Sequence, residues 1–365
     1  MIIEKSICPS CSVGCGINLI YDNNKIVGTY PYKRHFINEG KNCLRGRDSY
    51  KTANQNRILK PLIKSGSKTV ETDLNSAIEK VAQLISSASK EDIGIISSGC
   101  ATNEENKIIS SFAKEYGINN LGFYNENFIK STEEVASYDD LNSANFILII
   151  GDVIKENPLI GRRIMIAKDN GAEIITCDTE NLTISSLNSN KHYKLDSVSD
   201  LFNDFPDKIK NKLDENSVIV FNKLGNNEEL DEISKIANNS NSKILPILKD
   251  CNSYGSMDYL NALEEKELID LINNVKVLIL FNEDLSSYLD GNLDSLIYIG
   301  TNLNETSQKA DITLPGCIWI EKGGTFTNTI GITQEFNKIQ NPPEDVLEEI
   351  ELIKQIGDKL NINIE

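Results

Sequence analysis

The sequence predicts an α/β protein in which a small cysteine-bearing unit precedes a long strand–helix alternation. Three observations predict it. Short, almost wholly apolar runs recur, among them IGIISS (93–98), FILIIG (146–151) and KVLILF (276–281), the pattern of strands buried on both faces of a parallel sheet. Segments of helical periodicity with capping residues lie between such runs. Ahead of both, four of the eight cysteines, Cys8, Cys11, Cys15 and Cys43, fall within the first 43 residues.

Residues 1–60 form the small unit. INLIYDNNKIVGTY (17–30) reads as two strands joined at Asp22-Asn23-Asn24, a hairpin-compatible turn. A long loop returns the chain to Cys43, and with so few apolar residues the unit needs a staple to fold. From about residue 70, Leu74, Ala77, Ile78, Val81, Leu84 and Ile85 share one helical face behind Thr72 and Asp73 as caps. The run 93–98 is a strand, and Thr102-Asn103-Glu104-Glu105 has capping-box spacing for a helix that ends near Gly117. Strand 146–151, a helix opened by Pro158 and closed by Gly171, and strand 173–178 make a βαβ unit. SVIVFN (217–222), KILPIL (243–248), KVLILF and SLIYIG (295–300) are four further buried strands. Nothing repeats internally, and no low-complexity linker divides the chain.

The chain of 365 residues is 39% hydrophobic and 25% charged, with a mean hydropathy of −0.29, an ordinary globular balance with room for two or more domains. No apolar run approaches the roughly 20 residues of a membrane-spanning helix, and MIIEKSICPS lacks the apolar core of a signal peptide. A cytoplasmic protein is expected. The net charge of −17 disfavours nucleic acid and anionic lipid as partners. Two histidines, His35 and His192, argue against a His-based metal centre or a Ser–His–Asp engine.

Cysteine spacing carries the chemistry. Cys8-x2-Cys11-x3-Cys15-x27-Cys43 sets three thiolates on one tight loop and a fourth on a long return, the arrangement that wraps a [4Fe–4S] cubane. Gly14 and Gly16 flank Cys15 and let the backbone turn closely. The competing reading is a four-cysteine zinc site, but zinc ribbons pair two knuckles of two, and this is three plus one. Cys100, Cys177, Cys251 and Cys317 are scattered in or beside apolar stretches. Cys100, on a predicted strand end, reads as a small buried apolar residue.

CPSCSVGCGI and CLRGRDSYKTANQNRILKPLIK resemble the molybdopterin oxidoreductase superfamily, most of all the catalytic subunit of formate dehydrogenases. The resemblance continues through SSGCATNEEN, IIGDVIKENPLIGRRIMIAKDNGAEIITCD, NSYGSMD and ETSQKADITLPG…EKGGTFTNTIGITQ…NPP, collinear over nearly the whole chain. It implies a small [4Fe–4S] domain (1–60) and two Rossmann-like α/β domains, one inserted in the other: a discontinuous domain of 61–130 and 271–365, and an insert of 131–270. It implies further that Arg45, just after the last cluster cysteine, lies between the cluster and a molybdenum or tungsten bis-pterin dinucleotide. The alternative for Arg45 is a simple ion pair with a loop acid. Gly324, Thr325 and Asn328 occupy a loop that approaches the cofactor in the family, with fold maintenance as the alternative.

Departures from the family pattern are equally informative. The stretch GINNLGFYNENFIKSTEEV (117–135), where formate dehydrogenases carry Cys or selenocysteine followed by His, has neither, so no catalytic residue is assigned. Asp152 after one strand, Asp178-Thr179-Glu180 after the next and Leu195–Asp200 place acids where pyrophosphate is expected, the wrong sign for an anionic ligand. The chain stops soon after Pro342-Pro343, before the family's C-terminal β-barrel. The favoured expectation is a subunit carrying electrons through one [4Fe–4S] cluster, without its own Mo/W site, among other redox subunits (ferredoxin-like, flavoprotein or a separate barrel subunit). The alternatives are the pterin-binding half of a split enzyme acting on formate or CO2, as formylmethanofuran dehydrogenase divides its work, and a non-redox scaffold stapled by the cluster.

Overall fold

The computed structural model describes residues 2–23, 25–66, 68–125, 135–203, 207–224, 226–289 and 293–364. At the N-terminus, strands Ile2–Ile7, Gly16–Asp22 and Lys25–Pro31 form an antiparallel sheet in chain order. Asp22 pairs opposite Lys25, as the predicted hairpin requires, and Asn23 has φ 47°, a left-handed conformation that Asn tolerates.

An eight-stranded sheet follows. Its order is Asn261–Leu263, Asn120–Tyr124, Ile93–Ser97, Val277–Phe281, Ser295–Gly300, Ile312–Pro315, Leu62–Ser65, Lys68–Glu71. The first six strands run parallel, and the last two form an antiparallel hairpin on the edge. One face is covered by helices Leu74–Ser87, Asn103–Tyr116 and Glu349–Lys359 around Ile78, Ile85, Phe112 and Ile353. Helix Asn103–Tyr116 has the expected capping box at Thr102 and Glu105, and Gly117 closes it in the left-handed conformation.

Between Asn120–Tyr124 and Asn261–Leu263 the chain builds a second, five-stranded sheet that is wholly parallel. Its order is Lys191–Lys194, Glu173–Asp178, Phe146–Ile150, Ser217–Phe221, Lys243–Pro246. One domain thus interrupts the other, but the return falls earlier than residue 270. Asn261–Leu263 and the following helix Glu265–Asn274 belong with the eight-stranded sheet, Asn261 pairing opposite Gly122. A three-residue strand that opens with Asn carries no apolar run, so the sequence conceals this boundary.

Two further expectations need correcting. Residues 1–60 have no core of their own: Val13, Ile17 and Leu19 share one apolar cluster with Ile147, Ile149 and Ile164 of the insert and with Trp319, Phe326 and Phe336. The segment 323–328, expected as a tight loop, is in part strand Gly324–Thr327, which pairs with Thr333–Phe336. The Phe326 and Phe336 rings lie 4.5 Å apart in that hairpin, which packs against the first strand. Of the stretch 117–135, residues 126–134 lie outside the described residues.

Candidate metal centre and flanking cavities

The first two strands meet with Ile7 opposite Gly16, so the eight residues between them must form a closed loop, and three of those residues are cysteines. The Cys8 N–H donates to the Cys15 carbonyl at 2.8 Å and seals it. Gly14 has φ +79°, and a Cβ there would meet Gln334 Oε1 at 2.3 Å; glycine is required by both conformation and space. Cys43 arrives immediately before helix Leu44–Ala53. The Gly46 N–H donates to Cys43 Sγ at 3.4 Å, and a Cβ on Gly46 would stand 3.4 Å from Cys8 Sγ.

All four cysteines line one small cavity, closed on the far side by Asn157, Pro158 and Leu159 of the insert. Cys8, Cys11 and Cys15 are buried and Cys43 half-buried. Burial, reinforced by the neighbouring thiols, pushes Cys8 up to about 12 and raises Cys11 and Cys15 as well. Such thiols ionise only toward a strongly cationic core, so loading a metal here releases protons. Among the described residues, no three Cys, His, Asp or Glu groups converge on a single-ion position. Three of the four cysteines come from one tight loop and the fourth from a distant return to the same cavity, and that donor set fits an iron–sulfur cubane.

Residues that sequence reasoning missed hold this loop. Asn38 Oδ1 accepts from the Gly16 N–H at 2.9 Å while its Nδ2 donates to the Gly16 carbonyl at 2.9 Å. His35 Nδ1 also receives the Gly16 N–H, at 3.1 Å. The Tyr138 hydroxyl donates to the Val13 carbonyl at 2.9 Å, and Arg163, stacked 4.8 Å from the Tyr138 ring, donates to the Ile37 carbonyl. Two of these contacts span more than a hundred residues of chain, and no local pattern announces them.

Arg45 projects from the first turn of its helix and donates to the backbone carbonyl of Glu156 in the insert. Its charge bears on Cys11, favouring the thiolate. On either side of Arg45 opens a large cavity, of about 610 Å³ and about 700 Å³. The first is walled by Cys100, Asn282, Thr301, Trp319 and Lys322. It lies at the carboxyl ends of strands Ile93–Ser97 and Val277–Phe281, where the strand order of the large sheet reverses. The second is walled by Asp152, Lys155, Asp178, Asn222, Lys223 and Lys249, at the corresponding reversal in the small sheet. Ligands of open α/β sheets bind at such switch points. Arg45 touches both.

Residues 1–55 match the family model of the molybdopterin oxidoreductase Fe4S4 domain, and residues 57–359 match that of molybdopterin oxidoreductase. The chain belongs to the molybdopterin oxidoreductase family. It is 28% identical over 473 aligned positions to the F420-dependent formate dehydrogenase subunit alpha of Methanocaldococcus jannaschii, covering 98% of this chain and 70% of that protein. The aligned span exceeds this chain's 365 residues, so that relative carries internal segments with no counterpart here. NADH-quinone oxidoreductase subunit 3 of Thermus thermophilus is 29% identical over 158 residues, 43% of this chain and 20% of that protein. Among solved structures, acetylene hydratase from Pelobacter acetylenicus superposes with a TM-score of 0.69 at 13% identity, covering 98% of this chain and 69% of that one. That likeness speaks to the fold: an N-terminal Fe4S4 domain followed by a large α/β region.

Within this molybdopterin oxidoreductase scaffold the predicted site residues separate. Gly324, Thr325 and Asn328 line neither cavity. Thr325 donates from both N and Oγ1 to Glu104, at 2.9 and 2.8 Å, and Gly324 packs against Glu104 and Thr102. Asn328 is buried, accepts from Ile330 and Ile332 and donates to the Val13 carbonyl. These bonds serve fold maintenance, fastening the hairpin to helix Asn103–Tyr116 and to the cysteine loop.

Cys100 also differs from expectation. It stands exposed in the turn after strand Ile93–Ser97, at the wall of the first cavity, because Gly99 and Cys100 turn the chain toward the next helix. The neighbouring Cys251 first of all, with Asp250 and Glu283, raises its thiol pKa. Cys177, Cys251 and Cys317 are buried.

The acids that had seemed to spoil the second cavity are compensated. Asp152 accepts from Ser185 N at 2.8 Å and Ile184 N at 3.2 Å. Asp178 faces Lys223 at 3.4 Å. With Arg45, Lys155, Lys223 and Lys249 set against Asp152, Glu156, Asp178 and Glu180, the walls carry both signs equally. Three of those cations reach the cavity from loops and short turns that no motif marks.

Proposed function

We propose that this chain is an iron–sulfur electron-transfer subunit of a larger redox complex, built on a formate-dehydrogenase-like scaffold. The position of Arg45, beside the cysteine pocket and at the wall of both switch-point cavities, carries the reading. A [4Fe–4S] cluster held by Cys8, Cys11, Cys15 and Cys43 supplies one-electron storage when bound. The chain's own residues set its environment. Burial of three of the four thiols excludes water, while the Gly46 N–H donates to Cys43 Sγ and the neighbouring Asn157 and Ser10 side chains favour the charged forms of Cys11 and Cys8, which stabilises negative charge there. Arg45 adds a fixed cation on the side facing the cavities.

One observation favours a second reading, the pterin-binding half of a split molybdenum or tungsten enzyme acting on formate or CO2. Each cavity is lined by a residue that carries a buried polar atom without a protein partner: Trp319, with Nε1, at the first and Asn222, with Oδ1, at the second. A bound ligand satisfies such orphans. The soft metal ligand would then come from another chain.

Anaerobic purification with whatever accompanies the chain, followed by iron, molybdenum, tungsten and zinc analysis, separates these readings. About four irons per chain without molybdenum or tungsten supports the relay. Stoichiometric molybdenum or tungsten moves the conclusion to the second reading. Zinc alone overturns both.

A further inference from the structure

Charge is unevenly distributed along the chain. Residues 1–60 hold ten Lys and Arg against four Asp and Glu, a net of +6 in a chain whose total is −17, which leaves −23 on the other 305 residues. Several of the ten cations have partners. Arg45 meets Glu156, Lys51 meets Asp48, Arg57 meets Glu321, Lys60 meets Glu71, and Lys5 lies over the Tyr32 ring. Among the described residues Lys33, Arg34, Lys41 and Arg47 are exposed and no acid faces them.

Lys33, Arg34 and Lys41 share the loop between strand Lys25–Pro31 and helix Leu44–Ala53, and Arg47 follows on that helix. The loop carrying Lys33 folds onto Gly40, where a Cβ would stand 3.2 Å from Lys33 Cα. Asn38 Nδ2 donates to the Lys41 carbonyl at 2.7 Å. Thr29 Oγ1 donates to the Arg47 carbonyl at 2.8 Å, tying the helix to the neighbouring strand. The same stretch exposes Phe36, 61% accessible. Its ring stacks on buried His35 at 5.0 Å, and His35 holds the N–H of Gly16, next to Cys15. Cys43, the least covered of the four cysteines, lies in the chain between Lys41 and Arg47. An exposed aromatic residue accompanied by four cations, on the loop and helix that carry the half-buried Cys43 and with the loop's one acid, Glu39, taken up by Arg162 and Arg163, has the anatomy of a transient docking face.

We propose that the face bearing Phe36, Lys33, Arg34, Lys41 and Arg47 docks a small acidic one-electron carrier protein. This rests on the electron-relay reading and adds the partner's chemistry to it. The sign selects the partner: a compact acidic carrier keeps its charge within the patch and is steered there. A nucleic acid or an anionic membrane extends beyond the patch and meets the −23 of the remaining chain.

The test uses the cluster-loaded full chain and a small acidic ferredoxin as the probe. Affinity is measured by titration at low and high salt for the wild type, the double variant Arg34→Glu/Arg47→Glu, Phe36→Ala, and a control reversal, Lys354→Glu, on the C-terminal helix. The expected result is binding that weakens with salt and falls about tenfold or more in the double variant. Phe36→Ala weakens it too, the control does not, and iron content is equal throughout. Affinity unchanged by the double reversal overturns the proposal. So does tighter binding of anionic vesicles or duplex DNA that the same reversal abolishes. Whether dithionite bleaches the cluster's visible absorbance is scored separately: no bleaching defeats the relay reading, while the titration still decides the face.

Discussion

At the scale of single residues, the site depends on a few positions where chemistry and geometry coincide. Cys11 is buried and lies beside both Arg45 and Asn157. Replacing it with Ser should abolish the visible absorbance of the loaded protein and lower its iron content, and an unchanged spectrum would remove Cys11 from the ligand set. Gly151 is decided by space. It closes strand Phe146–Ile150 at φ +94°, and a Cβ would stand 2.3 Å from Asn222 Oδ1. Gly151→Ala should cost about 1–3 kcal/mol, read as a lower denaturation midpoint. Wild-type stability in that variant would mean that the switch-point turn relaxes freely. Cys100 is the contrasting case: its type suggested core, yet its place in a turn put it at a cavity wall.

At the scale of elements, the most telling contact is a buried charge triad. Lys322 reaches Glu105 on helix Asn103–Tyr116 and, at 3.1 Å, Glu349 on helix Glu349–Lys359. All three residues are buried. Burial, with the Glu105 charge beside it, raises Glu349 from an ordinary 4.5 to about 8. Burial also penalises Glu105, but Lys322 and its hydrogen bonds more than offset this and hold that carboxyl low. The sign for Glu349 follows from proton counting. Between pH 4.5 and about 8 the native state keeps a proton that the unfolded chain has lost, so this group's stabilisation declines as pH rises through that window. Glu349→Gln, which keeps the shape and removes the ionisation, should flatten that part of the thermal-stability profile; an unaltered slope would place the titration elsewhere. Lys322→Met leaves the buried Glu105 carboxylate, beside the Glu349 carboxyl group, without a cation and should destabilise by about 3–5 kcal/mol, measured by denaturant unfolding.

At the scale of the whole molecule, the cysteine unit and the inserted domain share a core that also takes in residues 318–336. A cluster held by the four cysteines would therefore brace that shared interface. Cluster removal should raise hydrogen exchange in residues 1–60 and in the hairpin Gly324–Thr327/Thr333–Phe336 together. The eight-stranded sheet, with its separate apolar clusters, should stay protected. Exchange confined to residues 1–60 would restore the picture of an independent unit. Among the described residues no helix is long and apolar enough to cross a membrane.

The sequence by itself determined the class of fold, the family, the four clustered cysteines and the central strands, because each is written in local order: apolar runs, capping residues and spacing. Tertiary structure alone decided the rest. The strand Asn261–Leu263 exists because an edge was available to pair with, and its own residues do not advertise it. The role of Gly324, Thr325 and Asn328 follows from Glu104 and Val13, which are far away in the chain. The balance of charge around the second cavity needs Lys155, Lys223 and Lys249 to converge, and convergence is a property of the folded chain. Local periodicity records what a segment buries. Which cavity it comes to line is settled only when distant segments pack, since long-range contacts leave no mark in neighbouring residues.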